Sequence, residues 1–245
     1  MFCRKPNFNG VNSNTLPMIP TLEDFEKFYQ REDPWKVRGS ILSGVLSNLL
    51  KQNLGNRSHR YAIDIACGEG HLTKELKLAD HQYGMDISSL AIMRAKKYYP
   101  ELSFIQHDIR IPLMHKKVFD LVTVFDVLYY FSDSEQSQVL ANIRNLGNHT
   151  STFAFSVVIS SLYSQDRRYF TLQSATQKIS ENFRITKIVA IEAEFKRNTL
   201  ASYLHAIETQ LFNKKFLIWR YLMKLKRIEL KDASKVLFIA ESKVY

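Results

Sequence analysis

The 245-residue sequence predicts an α/β fold: a mostly parallel sheet with helices on both faces. Three features predict it. Near-continuous apolar runs of strand length alternate with helix-length segments, the pattern of strands buried on both sides. A glycine-bearing turn, Cys67-Gly68-Glu69-Gly70, follows the first run and opens a helix at His71. The next two runs end in the carboxylates Asp86 and Asp108, at the carboxyl edge where doubly wound sheets bind ligands.

Taken in order, Met1 to Pro20 is polar and Asn-rich and reads as a loose tail without an apolar signal core. Thr21 is expected to cap a short amphipathic helix, with Glu23 and Asp24 in its favourable first turn. Pro34 is expected to end that helix. A second helix should run from about Val37 to Gln52, and together the two make an N-terminal helical cover over residues 21–55. The main domain, 56–245, then alternates. Strands are expected at Tyr61–Ala66, Gln82–Met85, Leu102–Gln106, Phe119–Phe125 and Thr152–Ile159. Helices are expected at His71–Leu78, Ser88–Tyr98 and Ser134–Asn145, with a loop from Asp108 to Val118. A helix near Gln173–Asn182, a strand near Arg184–Ala193 and a last strand near Lys235–Ser242 complete the pattern. A helical insertion, about 199–231, precedes that last strand.

Composition limits the function classes. Hydrophobic residues make up 45% of the chain, an ordinary globular value, and no apolar run reaches the roughly 18 residues of a spanning helix. The two cysteines, Cys3 and Cys67, are too far apart in sequence for a disulfide framework or a metal-ligand spacing. A cytoplasmic setting and no metal are the expectations. The net charge of +10 points either to an acidic partner or to a basic enzyme whose charge serves solubility.

The glycine turn and its carboxylates form a cofactor constellation. Gly68 and Gly70 let backbone pass close to a ligand. Asp86 lies where a doubly wound sheet offers a carboxylate to two ribose hydroxyls. A dinucleotide site is disfavoured, because Thr73 stands where the third glycine belongs and Asp64 would repel a pyrophosphate. Asp64 suits a ligand with a cationic amino group and a sulfonium. Each acid taken singly has a structural reading as a cap or turn residue; their joint occurrence argues against it. Asp120, at the strand entrance, reads as structural.

Asp64 to Gly70 resembles the D-x-G-x-G-x-G motif of class I S-adenosylmethionine-dependent methyltransferases, with Ala66 in place of the first glycine. Asp86, followed by Ile87, resembles that family's ribose-binding acid. Asp108-Ile109 resembles its adenine-contacting pair, and Phe119 to Val122 with Phe125 to Tyr130 resembles its fourth-strand motif. The resemblance implies a Rossmann-like sheet of seven strands, the last antiparallel beside the fifth. It implies S-adenosylmethionine as cofactor, held by Asp64, Ala66, Cys67, Gly68, Gly70, Asp86, Ile87, Asp108, Ile109 and Asp126.

Within the family, Phe28 to Trp35 and Asp126-Val127-Leu128-Tyr129-Tyr130 resemble the nodulation N-methyltransferase (NodS-like) group, which has Glu where this chain has Asp126. There the N-terminal segment covers the cofactor. Trp35 is expected either to shield the donor, with a cation–π contact to its sulfonium, or to anchor the cover. Arg38 is expected either to hold the donor's carboxylate or to be a solvated surface residue. Asp126, Tyr129 and Tyr130 are the candidates for orienting the acceptor. None of His71, His107 or His205 makes a compelling general base, which favours N-methylation of an amino sugar or related amine. O-methylation of a saccharide or lipid-linked acceptor is the alternative, and an RNA methyltransferase using the basic surface is another. Nucleic acid is the less favoured partner, because the turn after the fourth strand lacks the Pro-Pro-aromatic pattern of nucleobase amine methyltransferases. A donor-binding module without catalysis is a further alternative.

Between Leu211 and Lys235, eight basic residues face two acidic ones. Phe212, Phe216, Trp219 and Met223 share a stripe at helical spacing, flanked by Arg220, Lys224 and Arg227. The expectation is that this arc roofs the acceptor pocket. The alternative is peripheral contact with an anionic inner membrane surface or an acidic ligand through Arg220, Lys224 and Arg227.

Overall fold

The computed structural model describes residues 20–39, 41–54, 58–114, 117–159, 170–193, 230 and 233–243. The insertion with Arg220, Lys224 and Arg227, and His205 within it, lie outside them, as does Met1 to Ile19.

Seven strands form one sheet in the order β3-β2-β1-β4-β5-β7-β6. They are β1 Tyr61–Ile65, β2 His81–Asp86, β3 Ser103–Gln106, β4 Leu121–Phe125, β5 Thr152–Val158, β6 Phe183–Ala193 and β7 Ala233–Ser242. The central pairings are parallel, and β7 runs antiparallel between β5 and β6. Alternation along each strand divides the core. On one face Ile63, Ile65, Val122, Val124, Phe153 and Phe155 pack against α5 Asp133–Arg144 and α6 Leu172–Ser180. On the other, Ala62, Leu121, Ala154, Leu237 and Ile239 pack against α2 Ile41–Leu54 and α3 His71–Leu76. Alongside, Ile92 and Ala95 of α4 Ser89–Tyr98 meet Phe104 of β3.

The helix starts follow local chemistry. Thr21 caps α1 Leu22–Tyr29 in a reciprocal capping box with Asp24, and Ser132 does the same for α5 with Glu135. Two expected boundaries shift. α1 stops at Tyr29, ahead of Pro34, and α2 begins at Ile41 rather than Val37. The reason is Asp33, which adopts a positive φ of 42° and accepts hydrogen bonds from the amides of Val37 (2.7 Å) and Arg38 (3.1 Å). An acid that binds backbone N–H groups locally holds the chain in a turn and delays the helix. The segment 21–55 therefore divides: α1 and the Asp33 turn form the cover, whereas Leu46, Leu50 and Leu54 of α2 belong to the sheet's helical layer.

Candidate donor and acceptor site

The carboxyl ends of β1, β2 and β4 converge on the turn after β1. Ala66, Gly68 and Gly70 all have positive φ (59°, 55° and 77°). Only alanine departs from what that conformation favours, at a cost of about 1–2 kcal/mol. Asp86 ends β2 beside this turn and is 7% exposed. Its Oδ2 accepts the Gly68 amide at 2.8 Å and its Oδ1 accepts the Ser88 amide at 2.9 Å. Burial pushes its carboxyl up to about 6 despite these bonds. The two backbone bonds leave each oxygen further acceptor capacity, so this carboxylate suits a ribose diol.

Asp64 is placed differently. Facing α3, it accepts hydroxyl hydrogen bonds from Thr73 (2.7 Å) and Thr123 (2.8 Å) and is 4% exposed. It ties α3 to β1 and β4, and burial pushes its carboxyl up to about 6. Cys67 sits in the turn, its amide donating to Met85, with burial raising its thiol. Asp108 is gripped by its near neighbour Arg110, through Nε at 3.0 Å and Nη2 at 2.7 Å. These bonds outweigh desolvation and hold its carboxyl below the usual range. Ile109 is fixed by buried Asn142, whose side-chain amide donates to its carbonyl at 2.8 Å. Ile87 follows Asp86, and the Gln106 side chain reaches its carbonyl at 3.4 Å. Asp120 accepts the amides of Arg60 and Tyr61 at the opposite edge, the structural role expected of it.

The cover reaches this turn through Tyr29, 4% exposed, whose hydroxyl accepts from Trp35 Nε1 at 3.2 Å. Glu26 reaches the start of α4, accepting from the Ser89 amide at 2.6 Å and the Ser88 hydroxyl at 3.1 Å. Trp35 and Phe25 both pack against Tyr130, linking the cover to the segment after β4. The Tyr130 ring packs on the cover, with Tyr129 tilted against it at 4.5 Å. The Arg38 guanidinium lies over the ring of Tyr98, a residue of α4, at 4.5 Å.

Two features were not anticipated in the sequence. Glu69, 4% exposed between the glycines, accepts from Arg94 Nη1 (2.7 Å) and the Asp33 amide (3.0 Å) and lies 3.1 Å from His71 Nε2. Asp33, Glu69 and His71 approach within 4.8 Å, but Asp33 and Glu69 are engaged with Arg94 and backbone amides and His71 with Glu69 and the Tyr99 hydroxyl, making a clasp for the cover. The second is at β4's end. Asp126 has a φ of 54°; its Oδ1 accepts from Ser156 Oγ at 2.8 Å, and its Oδ2 pairs with the Lys235 ammonium. A charged residue directly ahead of the apolar run Val236–Ala240, within the last strand, is the signal for Lys235; nothing in the motif points to Ser156.

Residues 62–149 match a family model described as a methyltransferase domain. Nodulation protein S of Sinorhizobium fredii is 25% identical over 136 residues, 54% of this chain and 62% of that protein. The chain thus spans less than two thirds of that relative. Among solved structures, N-methyltransferase NodS from Bradyrhizobium japonicum WM9, in complex with S-adenosyl-L-homocysteine, aligns with a TM-score of 0.64 at 14% identity. That alignment covers 91% of this chain and 98% of the other. The [4+2]-cyclase SpnF aligns equally well, at 0.64 and 13% identity, over 94% and 100% of the two chains. The glycine turn and the Asp86 carboxylate fit S-adenosylmethionine, the cofactor that the family resemblance implies. The chain has the class I methyltransferase fold, matches a methyltransferase-domain model over residues 62–149 and resembles the NodS group.

Proposed function

We propose that this protein binds S-adenosylmethionine at the carboxyl edge of β1 and β2 and methylates an amine on a small molecule or glycan, such as an amino sugar. The observation that carries the donor site is the buried Asp86 carboxylate, hydrogen-bonded to the Gly68 amide across the turn. When bound, the cofactor supplies a methyl group on a sulfonium, already activated for in-line displacement. Asp86 would accept the ribose hydroxyls, and Gly68 and Gly70 would give the backbone close approach. Asp108 and the fixed Ile109 peptide would face the adenine. Ala66, Cys67 and Ile87 shape the turn, and Asp64 acts through it by tying α3 to the sheet. Trp35 and Tyr29 exclude water over the turn. Arg38, stacked on Tyr98, would have to turn to reach a donor carboxylate. Asp126 would accept an N–H of the amine, with Tyr129 beside it.

An amine needs only to arrive neutral, so the absence of a histidine base among the described site residues is consistent with this chemistry. The resemblance to the NodS group supports N-methylation. No described helix is long and apolar enough to cross a membrane. Contact with an anionic surface through Arg220, Lys224 and Arg227 rests on sequence pattern alone; replacing all three with Gln and measuring vesicle partitioning at low salt tests it. SpnF shows that one fold hosts different reactions, so the decisive experiment is donor turnover against amino sugars, glycans, lipids and RNA. Methyl transfer to amino sugars alone is the expected result. Transfer to RNA, or donor binding without transfer to any of them, overturns the reading.

A further inference from the structure

We propose that Lys235 is a positioning residue of the acceptor site, holding the Asp126 carboxylate so that it grips an acceptor N–H at the end of β4. The proposal rests on the amine-methylation reading above. Topology delivers the lysine. β7 is antiparallel, so its first residues lie at the ligand-bearing edge, and Lys235 pairs opposite Val158, the last residue of β5. In a parallel strand the same position would fall at the opposite edge.

The carboxylate is held from the sheet side at both oxygens, by Lys235 at Oδ2 and Ser156 Oγ at Oδ1. The Asp126 amide donates in turn to Ser156 Oγ at 3.1 Å, closing a two-residue ring. The cation is inside and the anion faces outward: the Lys235 side chain is 10% exposed and that of Asp126 34%. An apolar residue at 235 would extend the Leu237–Ile239 row without desolvating a charge, and a buried ion pair is weak evidence for stability. Asp126 also carries a backbone conformation that disfavours non-glycine residues. A buried cation paired with an outward carboxylate on a strained backbone is a feature of a binding group.

The chemistry balances. The acceptor ammonium first loses a proton to water. Its nitrogen lone pair then forms the C–N bond as the S–C bond of S-adenosylmethionine breaks, and the electron pair stays on sulfur. The methylated ammonium later returns its proton to solvent. Throughout, Asp126 accepts an N–H hydrogen bond, and Lys235 with Ser156 fixes the direction of that bond and hence of the lone pair.

The test uses the full chain, glucosamine as the probe, and Lys235→Met, Lys235→Arg and Ser156→Ala. S-Adenosylhomocysteine affinity should stay within about twofold in all three. For Lys235→Met, KM for glucosamine, and its Kd for the S-adenosylhomocysteine-loaded protein, should rise about tenfold, with kcat changed less. Lys235→Arg should restore most of the loss. Equal glucosamine affinity in Lys235→Met and wild type, or a parallel loss of S-adenosylhomocysteine affinity, overturns the proposal. Should Lys235→Met fail to fold, Ser156→Ala carries the test, with a several-fold rise in KM expected and no rise overturning it. Wild-type protein that binds glucosamine but does not methylate it sinks the methylation reading and leaves the positioning role standing. No glucosamine binding by the wild type overturns the positioning role.

Discussion

The Tyr29 hydroxyl lies 2.6 Å from where a Cβ on Gly68 would stand, so the cover and the glycine turn are fitted to each other at a single atom. Gly68→Ala should push Tyr29 outward and loosen residues 22–35, seen as faster amide exchange there, and weaken S-adenosylhomocysteine binding. Tyr29→Phe in the Gly68→Ala background removes the clashing oxygen and should recover part of the stability. The backbone strain, about 1–2 kcal/mol, should remain. Strictly additive effects in this double-mutant cycle would contradict the fit.

Ala66 holds a left-handed conformation at the position where the methyltransferase motif it resembles has glycine. Ala66→Gly should relieve the strain and lose part of the gain to the greater freedom of the unfolded chain, leaving roughly 0.5–1 kcal/mol of net stabilisation. Thermal unfolding should show it as a Tm higher by about 1–4 °C. A lower Tm would show that Ala66 contributes contacts worth more than its strain.

Burial pushes the carboxyls of both Asp64 and Asp86 up to about 6. An unfolded Asp titrates near 3.9. Between those values the folded protein keeps protons that the unfolded chain has released. The stability contributed by these groups is therefore fully present below about pH 4 and lost as pH rises through about 6. Asp86→Asn should stabilise the donor-free protein near pH 7.5, by at most about 3 kcal/mol, and have little effect near pH 4. Urea unfolding at the two pH values checks it. Donor binding runs the other way, because ribose hydroxyls favour the ionised carboxylate. S-Adenosylhomocysteine affinity should fall below about pH 6, by up to about tenfold per unit, with proton release in calorimetry. Affinity independent of pH down to about 4.5 would remove Asp86 from the donor site.

Glu26 bridges the cover to the start of α4, with burial outweighed by its hydrogen bonds to Ser88 and Ser89 so that its carboxyl stays below the usual range. Glu26→Ala should leave those donors to water and speed proteolysis near Trp35, at a cost of about 1 kcal/mol. Deleting residues 1–20 should change donor affinity little, whereas deleting through Trp35 should weaken it. Normal donor affinity and methylation in the longer truncation would show that the cover has no part in the donor site.

The sheet was legible because every strand carries its own pattern. The runs around Ile63, Val122 and Phe155 are apolar on both faces, which only a sheet covered on both sides satisfies. Even the antiparallel last strand followed from the motif resemblance. The ends of α1 and α2 were less legible, because Asp33 sets them by binding backbone amides, whereas Pro34 is the stop that the sequence displays. The carboxylates of the candidate site stand out in the sequence as residues, but their partners do not. Thr73 and Thr123 hold Asp64, and Arg110 holds Asp108. Lys235 stands 109 positions from Asp126 in sequence, and only the pairing of β5 with β7 brings them together.

The antiparallel course of β7 also governs how this chain can diversify. β6 ends at Ala193 and β7 begins at Ala233, and these two residues are partners in the ladder. Residues 194–232 therefore leave and re-enter the sheet at one point, on the rim that carries Asp126. A segment anchored at a single doorway behaves as a cassette. Its length can change at small entropic cost, since loop closure grows only logarithmically. Its exchange between relatives would leave every strand register untouched. Lys235, two residues inside that doorway, is where a change in the cassette would first be felt by the chemistry.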